Sequence, residues 1–213
     1  MKFSILTLFP ESIDCYFKSS MLLRAQNDGL VDIQIYNPRD YSTDKHKKAD
    51  AAPYGGGPGM VLMAEPLLVA WKKAQESVNA KKVKTVILSP QGKPFTRKEA
   101  HAWARTYSHV ILIAGHYEGI DDRVRKVTRA VEYSIGDYVL TGGELPSAVL
   151  VDAILRHIPG VLGNSESLEE KRSASKRSYT RPDNITFENK QYRVPPVLLS
   201  GDHKKIEEWR KKN

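Results

Sequence analysis

One cysteine stands among 213 residues, so the chain cannot close an internal disulfide, and a zinc or iron–sulfur site built from several cysteines is excluded. Cys15 reads as a small residue of the fold and suits a reducing compartment. Long apolar runs are missing as well: nothing approaches the roughly 20 apolar residues of a membrane span. The opening MKFSILTLFPE carries one lysine and a short apolar run that Pro10 and Glu11 end, unlike a secretory signal. These absences point to a soluble, cytoplasmic protein. The glycine signatures of phosphate loops are absent too, with no GxGxxG after the first strand-like run and no GxxxxGK followed by Ser or Thr. The six histidines are scattered without a His-x-x-x-His pair, which argues against a dedicated transition-metal site.

What is present is an ample stock of core residues, 40% hydrophobic, and a surplus of base: 33 Lys and Arg against 25 Asp and Glu give a formal charge of +8. Such a balance favours a polyanionic partner, although charge alone does not locate a binding patch.

Short Val/Ile/Leu-rich runs at 3–9, 31–36, 84–89, 109–114 and 131–134 read as strands. Between them lie helical patterns. Residues 10–26 align Ile13, Phe17 and Met21; 65–78 align Leu67, Leu68 and Trp71; 96–107 open with the capping box Thr96-x-x-Glu99. A longer pattern over 144–158 carries Leu145, Val149, Ala153 and Ile154 before Pro159 and Gly160 end it. This alternation predicts an α/β fold, a parallel sheet flanked by helices on both faces. From 163 to 182 the apolar content collapses and the stretch reads as a linker. A short tail over 183–213 follows, with an apolar run at 194–199 and a basic helix at 203–212 anchored by Ile206 and Trp209.

Ligands of open α/β sheets sit beyond the carboxyl ends of the strands. Three conspicuous loops occupy those positions: SPQG at 89–92, GHYEGID at 115–121 and IGDYVLTGGELP at 135–146. Each alone reads as a tight turn. Together they predict one glycine-lined cleft in which absent side chains let a planar ligand approach the backbone. PYGGGPGM at 53–60 reads either as a surface loop or as a lid over that cleft. KRSASKRSYTR at 171–181 holds five basic and no acidic residues, and reads either as a solvated linker or as a phosphate contact.

Taken in order, LFPE, PRD at 38–40, PYGGGPGM, LSPQG, GHYEGIDDRV, SIGDYVLTGGELP, IPGVLG, YTRP and VPPVLLSG resemble the bacterial tRNA (guanine(37)-N1)-methyltransferases, the TrmD family of the SPOUT superfamily, over the chain to about Trp209. The resemblance implies a homodimer with a deep C-terminal trefoil knot in residues 1–162, a rare exception to unknotted chains, and a small, mainly helical tRNA-binding domain over 183–213. The chain ends soon after EEWR, where that family usually continues with another basic segment.

It also implies S-adenosyl-L-methionine as methyl donor. Ile135, Gly136, Tyr138 and Leu140 would hold adenine through the backbone. Gly142, Gly143 and Pro146 would shape the cleft, and Leu88, Ser89, Pro90, Gly115, Tyr117 and Glu118 would line its other wall. The tRNA, with guanine at 36 and 37, would meet Asp50, Gly57, Pro58, Gly59, Lys171, Arg172 and Arg181. A magnesium requirement stays open. Arg156 matches the family's assisting arginine. The family's proposed base is a linker aspartate from the partner subunit, and here Lys171 stands in its place, so the role passes to Glu170 or Glu169. Two other readings remain: a cofactor- and tRNA-binding homologue with impaired catalysis, and a SPOUT methyltransferase for another RNA.

Overall fold

The computed structural model describes residues 1–77, 82–162 and 177–212. They belong to two compact units, Met1–Leu162 and Gly163–Asn213.

The first unit is organised by five parallel strands: β1 (Lys2–Leu6), β2 (Asp32–Tyr36), β5 (Val83–Pro94), β6 (His109–Ala114) and β7 (Val131–Ser134), in the order β2-β1-β6-β5-β7. Side chains alternate across the sheet as the two-residue period requires. Phe3, Ile5, Val110 and Leu112 face one core, and Leu6, Ile111 and Ile113 face another. Helices α1 (Glu11–Phe17), α2 (Ser20–Asn27), α4 (Arg97–Thr106) and α6 (Glu144–Leu155) supply Phe17, Leu22, Trp103 and Ile154 to the first core. Helices α3 (Ala64–Glu76) and α5 (Asp122–Thr128) supply Leu67, Ala70 and Val124 to the second. The parallel sheet is therefore covered on both faces, which is why its central strands read as nearly continuous apolar runs.

Local chemistry sets the element ends. Thr96 caps α4 in a reciprocal capping box with Glu99. The single helix expected over 10–26 is two: Ser19 Oγ donates to the Tyr16 carbonyl and Ser20 adopts φ 48°. The Ser19 hydroxyl, competing for the backbone, breaks the pattern there. Strand β5 runs on to Pro94 with a register irregularity between Leu88 and Lys93, so SPQG is looped out between two stretches that both pair with β7. Gly92 makes this possible, because a Cβ on it would lie 2.5 Å from the Tyr133 backbone nitrogen. Helix α6 stops at Leu155, short of the expected 158. A two-stranded ribbon of β3 (Asp50–Ala51) and β4 (Val61–Leu62) carries the 53–60 loop.

Polar residues also lie in the sheet, among them Lys2, Ser4 and His109. His109 is fully enclosed, its Nε2 is 2.9 Å from Ser4 Oγ, and burial, with Lys2 nearby, pushes its pKa down to about 4.

The second unit contains an antiparallel hairpin, β8 (Asn184–Phe187) and β9 (Lys190–Arg193), followed by α7 (Pro196–Leu199) and α8 (His203–Lys212). Its turn residues Glu188 and Asn189 have φ of 49° and 61°, the pair of left-handed conformations of a two-residue hairpin turn. The sequence reading contained no hairpin here.

Candidate active site

The SPQG excursion within β5 and the loops following β6 and β7 enclose a cleft of about 470 Å³. Every residue named above for the methyl donor lines it except Gly136. Gly136 acts from behind: a Cβ there would collide with the Tyr138 ring, and its carbonyl accepts from Ser134 Oγ at 2.8 Å. The two walls are bonded to each other, since Gly143 N–H donates to the Gly115 carbonyl at 2.7 Å and Gly142 bridges His116. A Cβ on Gly143 would lie 2.7 Å from Ala114 Cα, backbone that cannot yield. This contact needs glycine for its close approach.

Beneath the cleft sits a polar cluster that the sequence reading did not contain. Glu144, only 7% exposed, accepts from Thr7 Oγ1 at 2.6 Å, and its other oxygen is 3.7 Å from His116 Nδ1. The His116 ring packs against Phe9 and Tyr117, with centroids at 4.7 and 4.8 Å. A Cβ on Gly142 would run into both Glu144 and His116. The only sequence signal was that Thr7 and Glu144 each interrupt an apolar pattern. The cleft lining is acid-rich in a basic chain: Glu118, Asp121, Asp122 and Glu132 stand against Arg125, with His116 beside them. Hydrogen bonds from Arg123 hold the Asp121 carboxyl below its usual range, and those from Arg125 and Lys126 do the same for Asp122.

The 53–60 loop is tied to the cleft wall. Glu118 N–H donates to the Met60 carbonyl, Leu62 N–H to the Gly119 carbonyl and Asp121 N–H to the Leu62 carbonyl, at 3.0, 3.0 and 3.1 Å. Gly59, at φ 79°, leaves room for the Glu118 side chain, which a Cβ would approach to 2.6 Å. Gly57 and Pro58 precede it in the same loop, and Asp50 at the ribbon's base pairs with Arg39 at 3.4 Å. Arg156 caps the end of α6, half-buried, and does not line the cleft. Arg181 lines a separate cleft of about 570 Å³ inside the second unit, with Tyr179, Trp209 and Arg210. Glu169, Glu170, Lys171 and Arg172 lie outside the described residues. Among the described residues no group of three or more His, Cys, Asp or Glu side chains could hold a metal ion, and no helix is long and apolar enough to cross a membrane.

A family model described as tRNA (Guanine-1)-methyltransferase TrmD matches residues 1–213. The chain belongs to this family. Its relatives include proteins named tRNA (guanine-N(1)-)-methyltransferase. That of Carboxydothermus hydrogenoformans is 47% identical over 216 residues, covering 100% of this chain and 82% of the relative. That of Pelotomaculum thermopropionicum is 49% identical, covering 100% and 84%. That of Clostridioides difficile is 44% identical over 215 residues, covering 99% and 91%.

Proposed function

We propose that this TrmD-family chain methylates N1 of guanine 37 in tRNA, using S-adenosyl-L-methionine. The observation that carries the reading is the glycine-lined cleft joined by the Gly143 to Gly115 bond, on a chain whose family acts on tRNA guanine. Its volume lies in the range of small-molecule sites, glycine backbone forms its floor, and its acid-rich lining suits a donor that is cationic at sulfur. When bound, the donor supplies an electrophilic methyl group on that sulfur.

The chain's own residues then have three tasks. The backbone of Ile135, Gly136, Tyr138 and Leu140 orients the planar end of the donor. Asp50, Gly57, Pro58 and Gly59 receive the guanine beside the Glu118 wall. In a homodimer whose active site is shared between subunits, Arg156, which does not line the cleft of its own subunit, stabilises negative charge growing on guanine O6, and a linker carboxylate, Glu170 ahead of Glu169, takes the N1 proton. Lys171, Arg172 and Arg181 contact phosphates, with the second unit as a tRNA-binding domain.

We further propose a trefoil knot and a homodimer. The knot reading is supported by the path of the chain, which leaves edge strand β7, bonds back to the Gly115 loop and then packs α6 against β6 and α1. The dimer reading is supported by Leu145 and Val149, one turn apart on α6 and 62% and 46% exposed. The lone cysteine supports a cytoplasmic setting.

The test is transfer of labelled methyl from S-adenosyl-L-methionine to unmodified tRNA. Incorporation that requires guanine at 36 and 37 supports the reading. Incorporation indifferent to those bases assigns the chain to another RNA position.

A further inference from the structure

Tyr54 is 100% exposed, with none of its ring covered by the fold. It stands between Pro53 and three glycines, Gly55, Gly56 and Gly57, at φ 85°, 81° and 120°. Those glycines bring no side chains to shield the ring, so the turn presents a bare aromatic face to solvent. The base of the loop that carries the ring is bonded to the wall holding Glu118 through Met60 and Leu62. The same ribbon reaches a cation: Asp121 N–H donates to the Leu62 carbonyl at 3.1 Å, and the Asp121 carboxylate in turn accepts from the Arg123 guanidinium at 2.9, 3.1 and 2.5 Å.

An uncovered aromatic face and a bonded guanidinium carried by one ribbon are suited to a single-stranded nucleotide, with its base on the ring and its phosphate on the cation. Enzymes that work on a base draw it out of its stack, which leaves the adjoining base without a neighbour. Resting on the tRNA-guanine reading of the cleft, we propose that Tyr54 is the stacking platform for the unpaired base adjoining the methylated guanine, with Arg123 contacting the phosphate of that nucleotide. The loop of the platform is bonded at Met60 and Leu62 to the Glu118 wall, so the stack sets how far the guanine reaches into the cleft. Any base offers a π face, so the platform contributes affinity and register without restricting which base it accepts.

The test uses the full chain and equilibrium binding of a fluorescent anticodon stem-loop, a readout independent of turnover. Tyr54→Ala is expected to weaken binding about 5- to 100-fold, the range of single base–aromatic stacks, while Tyr54→Phe stays within about twofold of the parent. S-adenosyl-L-methionine affinity is expected to hold in both, since Tyr54 does not line the donor cleft. In a second arm the stem-loop carries an abasic site next to guanine 37, tried on each side. One of the two is expected to weaken the parent by the same factor and leave Tyr54→Ala unaffected. Unchanged binding by Tyr54→Ala, or losses from the variant and the abasic site that multiply as if independent, would overturn the proposal. A parent that binds the stem-loop but transfers no methyl would contradict the catalytic reading and leave this one standing.

Discussion

The Thr7 hydroxyl donates to the Glu144 carboxylate at 2.6 Å, joining the end of β1 to the first turn of α6 across 137 residues. A buried carboxylate is costly unless its lone pairs are satisfied. Here the hydroxyl supplies a hydrogen bond to one oxygen, and His116 Nδ1 stands 3.7 Å from the other. Thr7→Val keeps the shape and removes the donor. We expect a loss of about 1–3 kcal/mol in urea unfolding, together with weaker donor binding, because Gly142 is packed against the same carboxylate.

Glycine at 142 and 143 is required by contact, and at 56 by conformation alone. Gly143→Ala drives a Cβ into the Ala114 backbone, and Gly142→Ala drives one into Glu144 and His116, whereas a Cβ at Gly56 meets nothing within 4 Å. Calorimetry is expected to find S-adenosyl-L-methionine binding lost in both cleft variants and retained in Gly56→Ala. Parental affinity in Gly142→Ala would place the ligand elsewhere.

Acid should weaken the first unit through His109. Its folded pKa of about 4 lies below the ordinary 6.5, so the unfolded chain binds the extra proton first. Stability from this residue is therefore complete above pH 6.5 and falls as pH drops towards 4, by at most about 3 kcal/mol. His109→Gln, which can still bond Ser4, should flatten that decline in urea midpoints compared at pH 7 and pH 5. An unchanged slope would assign the acid sensitivity to other groups.

On the proposed reading of the linker, Lys171 takes the place of the expected carboxylate, and Glu170 or Glu169 serves instead. A protonated lysine cannot accept the guanine N1 proton. Glu170→Gln is expected to lose most of the turnover rate with donor affinity unchanged, and Lys171→Asp is expected to raise it. If neither Glu170→Gln nor Glu169→Gln slows transfer, the base lies outside this stretch. If only Lys171→Asp transfers methyl, the natural chain is a binding protein with a disabled site.

The strands and most helices were legible because burial on both sheet faces imposes continuous apolar runs on β1 and β6 and a 3.6-residue stripe on α3. The cleft was legible because three glycine-bearing loops lie at the carboxyl ends of apolar runs in strands that prove adjacent, although SPQG turned out to be an excursion within β5. Long-range polar partnership was not legible: nothing local links Thr7 to Glu144, and periodicity carries no signal for a contact between elements far apart in sequence. Short elements escaped for a related reason. Helix α5 presents only the Asp121 cap before a mostly charged stretch, and the ribbon β3–β4 has two residues per strand, too few for an alternation to show. The break at Ser19 and Ser20 was hidden by an apolar spacing that continues through it.

The central claim is the atom methylated. Unmodified tRNA with guanine at 36 and 37, incubated with the purified chain and S-adenosyl-L-methionine and then digested to nucleosides, is expected to yield 1-methylguanosine derived from position 37 and no other new methylated nucleoside. A product methylated at the exocyclic amine, at a ribose hydroxyl or at another position would contradict the account.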